Sequence, residues 1–332
     1  MLNKVVIFGV GLIGGSFARA LKKAGAVQHI VGVDRSQAFL ARALELGIID
    51  SAFEPNTGVR PTGSDPGTRP PRAEGAGPAG QTPGFGLAQA LSGADLVMLA
   101  APVAQTERIL TAILPHLDPH TVVTDGGSTK CDVVAAARKA LGPRVSQFVP
   151  GHPIAGRETN GPDAAIDNLY VGKKAVLTPL SENAAGDVER VAAAWKACGA
   201  IIHVLTPEEH DKVFAAVSHL PHLLAYALVD DIANKDHSDL LFQYAASGFR
   251  DFTRIAGSSP EMWRDISLAN QAALLTELDA YLAQLTRLRA SLAAGDAASL
   301  ESVYANAQRA RKQWIEAIEA AETPQPKDSA AE

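Results

Sequence analysis

Four short segments hold polar residues at spacings that a packed core does not require. Gly151-His152-Pro153-Ile154-Ala155-Gly156 places an imidazole in a turn flanked by glycine and proline, and a neutral ring there can take a proton near neutral pH. Asp125-Gly126-Gly127-Ser128-Thr129-Lys130 follows a strand and offers the Ser128 hydroxyl, able to cap the helix expected from Thr129. Ser218-His219-Leu220-Pro221-His222 puts two imidazoles on one helical face, with His219 placed to touch a ligand and His222 read as structural. Arg250 and Arg254 share a face if their stretch is helical. Two guanidinium groups so placed suit a dicarboxylate, which Arg grips in bidentate fashion, or they form an ordinary surface ladder of ion pairs. The HxxH spacing also invites a metal, but no third convergent ligand stands out and no metal is expected.

A fifth segment points to a dinucleotide. Gly9-Val10-Gly11-Leu12-Ile13-Gly14 follows an apolar strand and opens a helix. The first glycine permits the tight turn, the second admits a pyrophosphate, and the third lets the helix pack on the strand, with the helix N-terminus facing the phosphates. Asp34 ends the next strand, where a carboxylate accepts hydrogen bonds from ribose hydroxyls. That favours NAD, while Arg35 and Ser36 keep NADP open, since they could hold a 2′-phosphate if Asp34 turned aside.

These segments need a scaffold that brings strand ends together. Short β-branched runs at Lys4–Phe8, Ile30–Asp34, Asp95–Ala100, Val122–Asp125, Gln147–Val149, Ala175–Thr178 and Ile201–Leu205 alternate with helical patterns. The fold class expected is therefore α/β, a Rossmann-type mainly parallel sheet over 1–205, followed by an all-helical domain over 206–322. Thr206-Pro207-Glu208-Glu209 is a helix start, with a hydroxyl cap, proline in the first turn and acids at the positive end of the dipole. The later helices carry apolar stripes through Leu278, Leu282, Leu285 and Leu292 and through Leu300, Val303, Trp314 and Ile318. A homodimer interface or packing within the chain would bury them. Glu54–Gly84 is dominated by Pro and Gly and is expected to be a disordered insertion, as is the tail over 323–332.

With 332 residues, 47% of them hydrophobic, the chain can bury a sizeable core, and its net charge of −6 gives no basic surface for nucleic acid or an anionic membrane. The two cysteines, Cys131 and Cys198, form neither a CxxC site nor a disulfide framework. Four glycines interrupt the uncharged N-terminal run, which argues against a signal peptide, and a cytoplasmic location is expected.

In combination the motifs resemble the prephenate and arogenate dehydrogenase family. GxGxxG, D-x-G-S-x-K, GHPIAG, SHLPH and FRDFTRIA with a later MWRDI occur in the family's order over residues 1 to about 290. The resemblance implies oxidative decarboxylation of prephenate to 4-hydroxyphenylpyruvate, or of arogenate to tyrosine, with hydride passing to NAD(P). It assigns His152 as the base, Ser128 as its partner and Arg254 to the substrate carboxylate. Arg250 becomes a neighbouring cation, and Asp251 and Glu158 possible partners of Arg254 that gate the pocket. Trp263 either walls the pocket or packs the core. Arg157, just after GHPIAG, stands where a smaller residue is expected and could alter the choice of substrate. The family pattern leaves no room here for a preceding mutase segment or a following ACT domain. Two rivals remain: a 3-hydroxyacid-type dehydrogenase, which would need a helical-domain lysine such as Lys212 or Lys235, and a non-catalytic dinucleotide sensor.

Overall fold

The computed structural model describes residues 1–53, 86–157 and 159–322. The expected insertion, the tail from 323 and Glu158 lie outside the described residues. In chain order the elements are β1 (Leu2–Phe8), α1 (Leu12–Lys23), β2 (Val27–Val33), α2 (Gln37–Glu45), β3 (Ser51–Phe53), α3 (Leu87–Leu91), β4 (Leu96–Leu99), α4 (Thr106–Ile113), β5 (Val122–Asp125), α5 (Cys131–Leu141), β6 (Phe148–Val149), β7 (Gly151–Pro153), β8 (Lys174–Leu177), α6 (Ala185–Ala197) and β9 (Ile201–Val204). Helices follow: α7 (Pro207–Phe214), α8 (Leu220–Ala233), α9 (Ser238–Gln243), α10 (Ser247–Thr253), α11 (Pro260–Ala269), α12 (Gln271–Ala294) and α13 (Ala297–Glu322).

Six strands pair in the order β3-β2-β1-β4-β5-β6, all parallel. Strand order reverses between β1 and β4, and ligands of open α/β sheets bind at such a switch point, beyond the carboxyl ends of the strands. The inner strands are apolar on both faces because helices cover both. Val5, Ile7 and Ile30 face one core, while Val6, Phe8, Val31 and Val97 face the other.

The single sheet expected from the sequence is two sheets. Ala175–Thr178 and Ile201–Leu205 do not extend the parallel sheet; β7, β8 and β9 form their own, with β7 antiparallel to β8. The chain leaves the first sheet at Pro150, which has no N–H to donate, and the next N–H, of Gly151, goes to the Asp125 carboxylate at 3.0 Å.

The helical start at Thr206 is as expected. Its hydroxyl accepts from the Glu209 N–H at 3.1 Å, and the Glu209 carboxylate accepts from the Thr206 N–H at 2.9 Å. After Phe214 the helix widens into a π segment, Ala215–His219, before α8. Pro221, lacking an N–H, frees a carbonyl one turn back and favours that widening, which sets the placement of His219. The run Pro207–Ala233 is long and apolar enough to cross a membrane by length and composition. Its first turns, however, carry His210 and Asp211, which are 0% and 4% exposed and bonded to the sheet end.

The structure divides into two compact units, Met1–Asn270 and Gln271–Glu332. The first unit includes α7, which is bonded to the turn after β5. In the second unit, α12 ends at Gly295 (φ +65°), and Asp296 starts α13 by accepting the Ser299 N–H at 3.0 Å. Leu282, Leu285, Leu292 and Trp314 on these helices are exposed.

The glycine turn tests the packing directly. A methyl at Gly14 would lie 2.0 Å from the Gly9 carbonyl oxygen, whereas one at Gly11 meets only the Gly161 nitrogen, at 3.9 Å. Gly14→Ala is expected to cost about 1–3 kcal/mol, read as a lower Tm in thermal unfolding, with Gly11→Ala close to wild type.

Candidate active site

The dinucleotide motif lies at the switch point. Gly9 has φ +94°, and a Cβ there would sit 2.6 Å from the Ala100 carbonyl oxygen at the end of β4. Gly11 caps α1 without a side chain, so no side-chain oxygen occupies the helix N-terminus, and the space beside Gly11 is open but for the Gly161 nitrogen at 3.9 Å. Leu12 is buried, and half-buried Ile13 accepts the Tyr170 hydroxyl on its carbonyl at 2.6 Å. Asp34 accepts the Val10 N–H (3.1 Å) and the Ser36 N–H (2.9 Å), which fixes its carboxylate beside the turn. Arg35 is exposed. This cradle, open over Gly11 with a carboxylate at its edge, fits a dinucleotide.

Beside it, the turn after β5 is joined to β7 by a buried ion pair. The Lys130 ammonium and the Asp125 carboxylate are 0% and 3% exposed and in direct contact. Lys130 also donates to the Gly151 carbonyl at 2.9 Å, and Asp125 accepts the N–H groups of Gly127 (2.8 Å) and Gly151 (3.0 Å). Both Asp125 oxygens and two of the three Lys130 N–H groups thus have partners, and removing one member would leave a buried charge at a cost of about 3–5 kcal/mol. The sequence reading noted the motif but gave these two residues no role. They set the backbone on which His152 stands.

His152 does not bond the Ser128 side chain among the described residues; its Nδ1 lies 2.9 Å from His210 Nε2. His210 Nδ1 in turn lies 2.8 Å from Asp211 Oδ1. Asp211 accepts two further N–H groups, from Lys130 and Cys131, each at 2.8 Å. Asp211 therefore caps α5 from a different helix, and the capping role offered to Ser128 is corrected: α5 begins at Cys131, and Ser128 lies in the turn before it. Phe214 meets the His152 ring edge-on at 5.0 Å. His210 and Asp211 were missed in the sequence because they sit outside any glycine-marked turn, in the second turn of an amphipathic helix.

A second branch starts at Asn270, whose Nδ2 donates to the Asp211 carbonyl at 2.7 Å and contacts His219 Nδ1 at 3.1 Å. Since that amide nitrogen can only donate, His219 Nδ1 accepts and its proton is on Nε2, which is buried and, among the described residues, has only the Ser128 backbone near it. His219 meets Trp263 edge-on at 6.1 Å, and His222 stacks on the other side of the cluster, 3.5 Å from the Trp263 ring centre. Arg254 is exposed and near enough to His222 for its charge to disfavour a second cation there. Regular helix ends at Thr253, and Arg254, still helical in its own backbone, opens a 3₁₀ turn. Arg250 and Asp251 are exposed on α10. An unbroken series of contacts thus runs from His152 through His210, Asp211, Asn270, His219, Trp263 and His222 to the surroundings of Arg254.

A family model described as the prephenate dehydrogenase nucleotide-binding domain matches residues 83–213, and one described as the prephenate dehydrogenase dimerization domain matches 206–306. A ketopantoate reductase model matches 5–124, the Rossmann half alone. The cyclohexadienyl dehydrogenase of Zymomonas mobilis subsp. mobilis is 32% identical over 94% of this chain and 96% of its own. The prephenate dehydrogenase of Bacillus subtilis is 33% identical over 93% of this chain and 75% of its own. Among solved structures, the prephenate dehydrogenase of A. aeolicus in complex with hydroxyphenyl propionate and NAD+ is similar with a TM-score of 0.79 and 34% identity, covering 94% of this chain and 98% of that one. The Synechocystis arogenate dehydrogenase follows at 0.71 and 28%, covering 94% and 99%.

Burial governs the protonation of the cluster. Desolvation pushes His152 well below the usual imidazole range, helped by the nearby His210, Lys130 and His219. His210 is lowered by desolvation although Asp211 opposes the shift, and His219 is lowered to about 4, again chiefly by desolvation. Burial alone would raise Asp211, but bonds from His210 and the Cys131 and Lys130 N–H groups outweigh it and hold the carboxylate low. Neutral imidazoles thus face an ionised carboxylate at neutral pH. In the unfolded chain these histidines bind protons below about pH 6.5, while the folded chain resists until lower pH, so stability falls as pH drops through that window. For His219 alone, with its pKa at about 4, the loss approaches roughly 3 kcal/mol by pH 4. Thermal unfolding is expected to show little change from pH 8 to 7, then a falling Tm below pH 6.5, with a shallower fall in His219→Gln.

Proposed function

The chain belongs to the prephenate dehydrogenase family, and on that premise we propose that it converts prephenate to 4-hydroxyphenylpyruvate and CO2 with NAD as oxidant, a step of tyrosine biosynthesis. The observation that carries this reading is the His152–His210–Asp211 series, buried at His210 and Asp211 and half-buried at His152, which lies beside the turn after β5 and the open glycine cradle.

The substrate is a cyclohexadienol with a ring carboxylate and a second carboxylate on its side chain. His152 takes the proton of the 4-hydroxyl as the C4–O bond gains double-bond character. NAD, when bound, accepts the hydride from C4. The resulting dienone draws in the electron pair of the C1–carboxylate bond, CO2 leaves, the ring becomes aromatic, and His152 returns its proton to the phenol oxygen. His219, with its proton on Nε2, supplies a donor for substrate or cofactor. Ser128, in the turn before α5, reaches the hydroxyl from the other side, and Arg254 grips a carboxylate. Arg250, Asp251 and Glu158 belong to the rim of this pocket in our reading, with Glu158 beyond the described residues. Asp34 at the cradle edge supports NAD over NADP.

A dual or arogenate-preferring enzyme is the second reading, favoured by the similarity to a cyclohexadienyl dehydrogenase and by Arg157 after GHPIAG. We place residues 206–322 as the substrate and dimerisation domain of a cytoplasmic homodimer. The match to a dimerization-domain model over 206–306 and the exposed apolar side chains of α12 and α13 support this.

His152→Asn is expected to lower kcat by about 10² or more while dinucleotide affinity stays within about twofold, measured by NADH formation and by titration. Arg254→Ala is expected chiefly to raise KM for prephenate, and an unchanged KM would remove it from the carboxylate site. Turnover measured for prephenate and arogenate, each with NAD and NADP, is expected to be fastest with prephenate and NAD.

A further inference from the structure

We propose that Asp211, acting through His210, is the positioning residue that fixes the tautomer of His152 and leaves its Nε2 bare toward the substrate. The inference rests on the reading of His152 as base and adds a role for two residues outside the family's glycine-marked motifs.

The direction of each proton follows from what each atom can do. Both Asp211 oxygens accept backbone N–H groups, from Lys130 and from Cys131 at 2.8 Å, so the carboxylate is ionised and can only accept. His210 Nδ1, 2.8 Å from Asp211 Oδ1, must therefore carry a proton. A neutral His210 then has a bare Nε2, which can only accept. His152 Nδ1, 2.9 Å away, must donate to it and so carries the proton of a neutral His152. What is left on His152 is the lone pair at Nε2. The opposite tautomer would place N–H at Nε2 and leave no base. His210 is 0% exposed and Asp211 4%, so water does not compete for these bonds. During the reaction the proton gained at Nε2 makes His152 a cation. Its Nδ1–H bond to His210, backed by the Asp211 carboxylate, stabilises that cation without a change in the number of protons.

The experiment is a double-mutant cycle on the full chain, with prephenate and NAD as substrates and with NAD affinity and thermal unfolding as controls. Asp211→Leu, close to Asp in size, removes the acceptor that keeps the proton on His210 Nδ1, so neither ring is held in one tautomer; kcat is expected to fall by about 10² or more with NAD affinity little changed. His210→Gln retains an oxygen that accepts from His152 Nδ1, so kcat is expected to stay within about tenfold of wild type, whereas His210→Leu, which cannot accept, loses about 10² or more. In the His210→Gln background the further change Asp211→Leu is expected to lower Tm but to have little effect on kcat. A purely structural Asp211 would lower kcat equally in both backgrounds, and that result overturns the proposal, as does full activity of Asp211→Leu. If Asp211→Leu fails to fold, equal kcat in His210→Gln and His210→Leu overturns it. His152→Asn separates the two levels: full activity there removes the base itself, while its loss together with an active Asp211→Leu removes only the tautomer role.

Discussion

The carboxylate of Asp211 is where the sheet end and the helical segment meet. It accepts the first N–H groups of α5, at the positive end of that helix, and holds the ring of His210 from the adjacent position on α7. Its backbone carbonyl holds Asn270, and Asn270 holds His219. One residue thereby connects the base candidate and the donor candidate to the same helix terminus. The arrangement is held by the pairing of buried polar groups along the His152–His210–Asp211 series. For that reason it resists partial change: a network missing one member leaves desolvated atoms unsatisfied.

The parallel sheet contributes placement. Its switch point brings the glycine turn after β1 and the turn after β5 side by side, and the buried Asp125–Lys130 pair then draws the start of β7 against them. Two devices that each cost stability, a desolvated ion pair and a strand that leaves its sheet at a proline, are what put His152 next to the cofactor cradle. A well-packed apolar turn would be at least as stable, but it would not aim a side chain.

Much of this was legible in the sequence. The glycine turn, Asp34, the parallel strands and the helix start at Thr206 follow local rules of spacing and capping, and each appears where those rules put it. His152, Ser128 and His219 were legible as chemistry because glycine and proline mark their turns. The role of Ser128 as a cap was not, because the actual cap comes from a residue about eighty positions away. His210 and Asp211 read as an ordinary polar pair in a helix, and only the tertiary contacts with the β5 turn and with His152 set them apart. The second sheet was hidden for a similar reason: strand propensity at Ala175–Thr178 says nothing about which strand it will pair with. The change from regular helix to a 3₁₀ turn at Arg254 is likewise not announced by the spacing of Arg250 and Arg254.

The protonation pattern of the histidine cluster is the most direct test of this account. Long-range ¹H–¹⁵N correlation spectra of the ¹⁵N-labelled protein at pH 7, with His152 and His210 assigned from the spectra of His152→Asn and His210→Gln, report which ring nitrogen carries each proton. The account predicts neutral rings for both, protonated at Nδ1 and bare at Nε2. A proton on Nε2 of His152, or an imidazolium at that position at neutral pH, would contradict it.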